Sequence, residues 1–270
     1  MSDISNSLLY HEIDFAGQHA DWLVFMHGAG GSMHTFKRQF PHFQGRFNLL
    51  KLDLRDHGSS KNLEMKDDFD MYVIAKDVIH LLDHLKIDSA HFLGVSMGSI
   101  FIRLVDELHP QVVKSVVVGG GVFKLSAKVQ FFIHAGVALS RVMPFKVLYS
   151  LLATIIMPNR NHAKSREIFI READKISQQE FNRWITLAPE LRGQLKKHFE
   201  SPISGPTLVV MGQEDHVFLK PAQEYAQRWP DVELQVIPKC GHVCNIEQPD
   251  AFNALVQDWF ERRFQLAPPL

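Results

Sequence analysis

Two cysteines in a chain of 270 residues, Cys240 and Cys244, are too few for a disulfide framework or a cysteine-rich metal site. They flank His242 in one short loop, where a bridge across a histidine would be awkward in a reducing compartment, so they read as free thiols. Charge of one sign is lacking too. Lys and Arg number 29 against 30 Asp and Glu, a formal net charge of -1, and the basic footprint of a nucleic-acid binder is missing. No long apolar run survives inspection either. The most apolar stretch, Gln130 to Met157, is interrupted by Arg141, Pro144 and Lys146, well short of the roughly twenty uninterrupted residues of a membrane span. The opening Met1 to Ser7 has neither a basic start nor an apolar core, so a secretory signal is not expected and a cytoplasmic location is. Glycines 28, 30 and 31 match neither the phosphate-cradling pattern with its lysine nor the dinucleotide fingerprint. His80 and His84 stand four apart on a helical stretch but lack the accompanying carboxylate of a zinc-protease motif, so neither a metal nor a cofactor is expected.

What is present is ordinary globular composition, 46% hydrophobic and 22% charged, and an alternation of strand and helix signals. Leu8 to Phe15 reads as a first or edge strand, followed by strands ending near Met26 and Leu54, and Val112 to Val118 as a buried one. Ser32 to Phe40 starts with a good N-cap and reads as a helix, as do Met71 to Leu85, Val217 to Trp229 and Pro249 to Phe264. Strands separated by helices predict an α/β fold with a mostly parallel central sheet and helices on both faces. From about Val122 to Ser201 the rhythm breaks into helical signals with no strand between them. The expected organisation is therefore a core of residues 1–121 and 201–270 with a helical lid over 122–200.

The run Gly94-Val95-Ser96-Met97-Gly98 sits where an apolar strand turns abruptly into a helix. A serine on so tight a turn has a strained backbone and an outward hydroxyl, as a nucleophile requires; a purely structural glycine turn is the alternative. Serine needs a general base, and the base an orienting group. Both are offered late in the chain. Pro206 to Gly212 reads as a strand followed by the polar Gln213-Glu214-Asp215, and Val232 to Ile237 as another followed by Pro238 to His242. Asp215 and His242 thus lie beyond the C-terminal ends of two consecutive strands, the edge of a parallel sheet where ligands bind. Glu214 is the adjacent rival for the carboxylate. The strand Trp22 to Met26 runs into His27-Gly28-Ala29-Gly30-Gly31, a loop able to point a backbone N–H at a developing oxyanion.

With the loop Asp53-Leu54-Arg55-Asp56-His57-Gly58-Ser59-Ser60 added, the chain resembles the α/β-hydrolase superfamily, in its branch of small lidded esterases and lipases, over nearly its whole length. That resemblance implies Ser96 as nucleophile, His242 as general base and then acid, and Asp215 as the orienting carboxylate. It also implies oxyanion donors in the backbone N–H groups of Ala29 and Met97. Two positions depart from the pattern: Asp56 and Ser99 stand where many relatives carry glycine, with consequences for loop shape and for helix packing respectively. The expected activity is hydrolysis of a small-molecule acyl ester. Thioester or carbon–carbon bond cleavage by the same three residues, and a non-enzymatic small-ligand receptor on the same fold, are the alternatives. The apolar residues of Gln130 to Met157 are expected to pack the lid onto the core, and some to line an apolar acyl pocket or touch lipid. Arg160, His162, Lys164, Arg166 and Arg171 are expected on a solvated helix face, or to steer an anionic substrate. His27 and His57 are expected to shape their loops.

Overall fold

The computed structural model describes residues 8–61, 63, 68–140 and 142–265; the Met1 to Ser7 opening and Arg141 lie outside them. Seven strands form one sheet: β1 (His11–Asp14), β2 (Trp22–Met26), β3 (Asn48–Leu52), β4 (Ala90–Val95), β5 (Val113–Gly119), β6 (Thr207–Gly212) and β7 (Val232–Ile237). Their order is β1-β3-β2-β4-β5-β6-β7, parallel throughout except for the antiparallel edge strand β1. The mostly parallel sheet expected from the strand–helix alternation is therefore the one present.

Helices cover both faces because the inner strands are apolar on both. Val24 and Met26 of β2 and Phe92 of β4 face one core, Leu23, Phe25 and Leu93 the other, as a two-residue period requires. The first core is closed by α2 (Met71–His84), α3 (Gly98–Leu108) and α9 (Leu219–Arg228), the second by α11 (Pro249–Phe264). Asp70 caps α2 by accepting the Val73 N–H at 2.8 Å, and Val73, Ile74, Val78, Leu81 and Leu82 give the helix its buried face.

Ser32 to Phe40 is not one helix. Met33–Phe36 forms a 3-10 turn and Phe40–Phe43 the single turn α1. Pro41 has no N–H to extend a helix begun at Ser32, and Asp53 Oδ1 takes the Met33 N–H at 2.7 Å, so tertiary bonding fixes the entry instead. Among the described residues between β5 and β6 there are five α-helices and no strand: α4 (Ala127–Leu139), α5 (Phe145–Ile156), α6 (Ala163–Ala173), α7 (Gln178–Ile185) and α8 (Ala188–Phe199). The short α10 (Cys244–Glu247) follows β7. Among the described residues no helix is long and apolar enough to cross a membrane.

The tightest packing lies where β4 becomes α3. A Cβ on Gly98 would come within 2.1 Å of the Met26 carbonyl oxygen and 2.9 Å of that of His27, both backbone atoms at the end of β2. Gly98→Ala is expected to lower unfolding stability by about 1–3 kcal/mol, the usual cost of overpacking, because β2 must move to admit the methyl. Urea denaturation of the two proteins measures it.

Candidate active site

Parallel strands put their C-terminal ends on one edge, and the loops leaving β2, β4, β6 and β7 meet there. Ser96 follows β4 directly with φ 53°, a left-handed conformation that costs a non-glycine residue about 1–2 kcal/mol and persists only where its surroundings enforce it. The Ser96 N–H donates to the Gly119 carbonyl at 2.9 Å, and the Ser96 carbonyl accepts the Ser99 hydroxyl at 2.6 Å. Ser99 Oγ in turn accepts the Val122 N–H at 3.2 Å. The Ser99 hydroxyl braces the turn and ties it to the segment entering α4.

His242 and Asp215 converge on Ser96. His242 Nε2 lies 2.8 Å from Ser96 Oγ, and its Nδ1 lies 2.8 Å from Asp215 Oδ2. Asp215 Oδ1 accepts the N–H groups of Val217 (3.2 Å) and Phe218 (2.9 Å). Burial raises the Asp215 carboxyl pKa, but the His242 imidazole and these two donors outweigh it, so the group sits below the ordinary carboxylate value and is ionised at neutral pH. The Phe218 ring packs against the imidazole at 4.9 Å between centroids. Glu214, the sequence rival, points elsewhere. Its Oε2 accepts from Asn159 and Asn161, each at 2.9 Å, and lies 2.8 Å from His162 Nε2. His162 is thus fully buried against Glu214, which corrects its expected place on a solvated face.

The loop after β2 lies against the serine turn. A Cβ on Gly28 would stand 3.1 Å from Ser96 Cβ and 3.7 Å from the Met97 nitrogen, so the two backbones approach because no side chain intervenes. Among the described residues neither the Ala29 nor the Met97 N–H donates to a protein acceptor. Two buried histidines shape this loop. His27 Nε2 accepts the Leu54 N–H and His57 Nε2 the Gly30 N–H, both at 3.0 Å. Each Nδ1 therefore carries the proton and donates, to Gly28 O (2.8 Å) and Arg55 O (2.9 Å). Burial lowers their pKa values to about 4 and about 3, which keeps both neutral.

Contacts that motif reasoning did not foresee complete the arrangement. The Tyr149 hydroxyl on α5 donates to the Ala29 carbonyl at 2.6 Å, and the ring stacks on Phe169 of α6 at 4.7 Å. Asp56, φ 65°, accepts the Trp184 indole N–H at 3.1 Å and pairs with Arg183 at 2.9 Å, which joins its loop to α7. A cavity of about 20 Å³ adjoins Ser96, lined by Gly28, Ala29, Val95, Phe169, Val243 and Ile246 among others. Cys240 and Cys244 are buried free thiols, their pKa values pushed up by burial, and so poor nucleophiles.

A buried carboxylate, an imidazole and a strained serine in line can move a proton and attack a carbonyl carbon. The sequence model of the alpha/beta hydrolase family matches residues 23–255, most of the chain. The chain belongs to the alpha/beta hydrolase family. This hydrolase-family chain is 28% identical over 89% of its length to the dihydrolipoyllysine-residue acetyltransferase component of the acetoin cleaving system of Pseudomonas putida, and spans 63% of that relative. It is 26% identical to 3-oxoadipate enol-lactonase 2 of Acinetobacter baylyi, over 89% of this chain and 88% of that one. The crystal structure of the enol-lactonase from Burkholderia xenovorans superposes with a TM-score of 0.76 at 22% identity, covering 93% of this chain and 96% of that chain, which concerns the fold alone.

Proposed function

We propose that this alpha/beta hydrolase is a serine esterase that cleaves a small acyl ester through an acyl-enzyme intermediate. The observation that carries the reading is the continuous line from Asp215 through His242 to Ser96 Oγ, with both links at 2.8 Å. His242 Nε2 takes the Ser96 proton as Oγ attacks the ester carbonyl carbon. The tetrahedral oxyanion lies against the N–H groups of Ala29 and Met97, and His242 returns the proton to the departing alkoxide. Water, deprotonated by the same nitrogen, then attacks the acyl carbon, and the acid leaves as Oγ recovers its proton. Asp215 holds the Nδ1–H tautomer and stabilises the imidazolium without accepting the proton. No metal or cofactor enters either half. Helices α4–α8 serve as a cap over the site within a lid of residues 122–200, and the Tyr149 and Asp56 contacts join it to the core loops.

The cavity beside Ser96 has room for little more than a water-sized group. An acetyl group therefore fits this cavity more readily than a long acyl chain does. Turnover of p-nitrophenyl esters is expected to fall steadily from acetate to octanoate, and Ile168→Ala, which widens the cavity wall, to raise the butanoate-to-acetate ratio by about three- to tenfold. Reaction with a fluorophosphonate probe and release of p-nitrophenol test the reading itself. A protein inert to both, yet melting at a higher temperature with a small acyl ligand, is a receptor and not an esterase. A lactone is a cyclic ester, so the enol-lactonase relatives add lactones to the panel, beside a thioester and a β-diketone for the alternative bonds.

A further inference from the structure

We propose that α4 and α5 dock this protein onto an anionic lipid bilayer. No side chain of helix α4 is fully buried, although its sequence is strongly apolar, and Val129 and Ile133 alone are half-buried against the main core. Phe131 is 69% exposed and Val142, in the connection to α5, 79%; Phe132, Leu139, Val147 and Leu151 are exposed as well. Phe131, Ala135 and Leu139 recur every fourth residue on α4, and Val147, Leu151 and Ile155 on α5, giving each helix an apolar stripe. The two helices share one cleft of about 560 Å³, lined by Val129 and Phe132 of α4 and Ile155 of α5. Apolar surface of this extent on a water-facing side needs an occupant.

Charge says which. The sequence has no Asp or Glu between Glu107 and Glu167, while the α4–α5 region carries Lys124, Lys128, Arg141 and Lys146. Lys124, Lys128 and Lys220 line the cleft with Phe132. One carboxylate shares it, Glu224, at 3.5 Å from Lys124; Lys146 is held by Asp174 at 3.1 Å. Lys128 and Lys220 have no carboxylate partner among the described residues. Exposed aromatic and aliphatic side chains beside an excess of lysines over carboxylates fit an interface where acyl chains accept the former and lipid phosphates the latter. A second copy of the chain fits poorly. A two-fold interface sets the patch against itself, lysine facing lysine.

The test is co-sedimentation with vesicles of phosphatidylcholine and phosphatidylglycerol in equal parts, against phosphatidylcholine alone. Binding to the mixed vesicles is expected to exceed binding to the neutral ones by about tenfold or more and to weaken with salt. Lys124→Gln with Lys128→Gln, and separately Phe131→Ser with Val142→Ser, should each lower it by about tenfold at unchanged melting temperature. Phe131→Trp should add an emission that shifts to the blue when mixed vesicles are present. No binding to the mixed vesicles, binding indifferent to these substitutions, or an unshifted emission overturns the proposal. A concentration-dependent dimer that Phe131→Ser with Val142→Ser dissolves, without vesicle binding, assigns the face to a second copy and overturns it too.

Discussion

Ser96→Ala is expected to abolish fluorophosphonate labelling and to lower kcat for p-nitrophenyl acetate by about a millionfold, the scale seen when a triad nucleophile is removed. The fold should survive, because alanine loses only the oxygen that faces His242 Nε2 and keeps the backbone hydrogen bond to Gly119. Residual turnover would come from the two N–H donors and the bound geometry alone. Ser96→Gly provides an independent check on strain. Glycine adopts φ 53° without the Cβ penalty, so that variant should be equally inactive yet more stable by about 1 kcal/mol in urea denaturation. An inactive but unstabilised glycine variant would mean that the turn stores no strain. Turnover retained in either variant would place the nucleophile elsewhere.

The parts of the fold that could be read from sequence are those where local chemistry and tertiary demand coincide. Strands β2, β4, β5 and β6 are apolar on both faces because helices cover both, and the same burial makes them visible as runs. Ser32 to Phe40 misled because its cap signal is real while the bond that fixes Met33 comes from Asp53, on another strand's loop. Tyr149 was invisible for the same reason: its partner Ala29 lies far upstream, and nothing near Tyr149 marks it. His162 sat among Arg160, Lys164 and Arg166 in sequence and read as one of a solvated set. Its burial depends on Glu214 reaching it across the fold. Between Glu214 and Asp215 a local signal did exist. An aspartate can accept the N–H groups two and three residues on, as Asp215 does from Val217 and Phe218, which pins the carboxylate; the longer glutamate does this poorly.

That distinction sets the second large effect. Asp215→Asn is expected to lower kcat by about ten-thousandfold with KM little changed. The asparagine carbonyl can still accept from Phe218 and Val217, so the loop keeps its shape. Its amide, however, turns a donor toward His242 Nδ1, which must then surrender its proton. The ring takes the tautomer whose Nε2 carries hydrogen and cannot accept from Ser96 Oγ. Glu214→Gln should leave kcat within about threefold, since its side chain is turned toward Asn159, Asn161 and His162 and no step passes through it. Steady-state kinetics on the two variants, with melting temperatures as a control for folding, separate the neighbours. If Glu214→Gln proved the damaging change and Asp215→Asn the mild one, the imidazole would be steered by a carboxylate that this geometry turns toward Asn159, Asn161 and His162, and the line from Asp215 to Ser96 would not be the path of the proton.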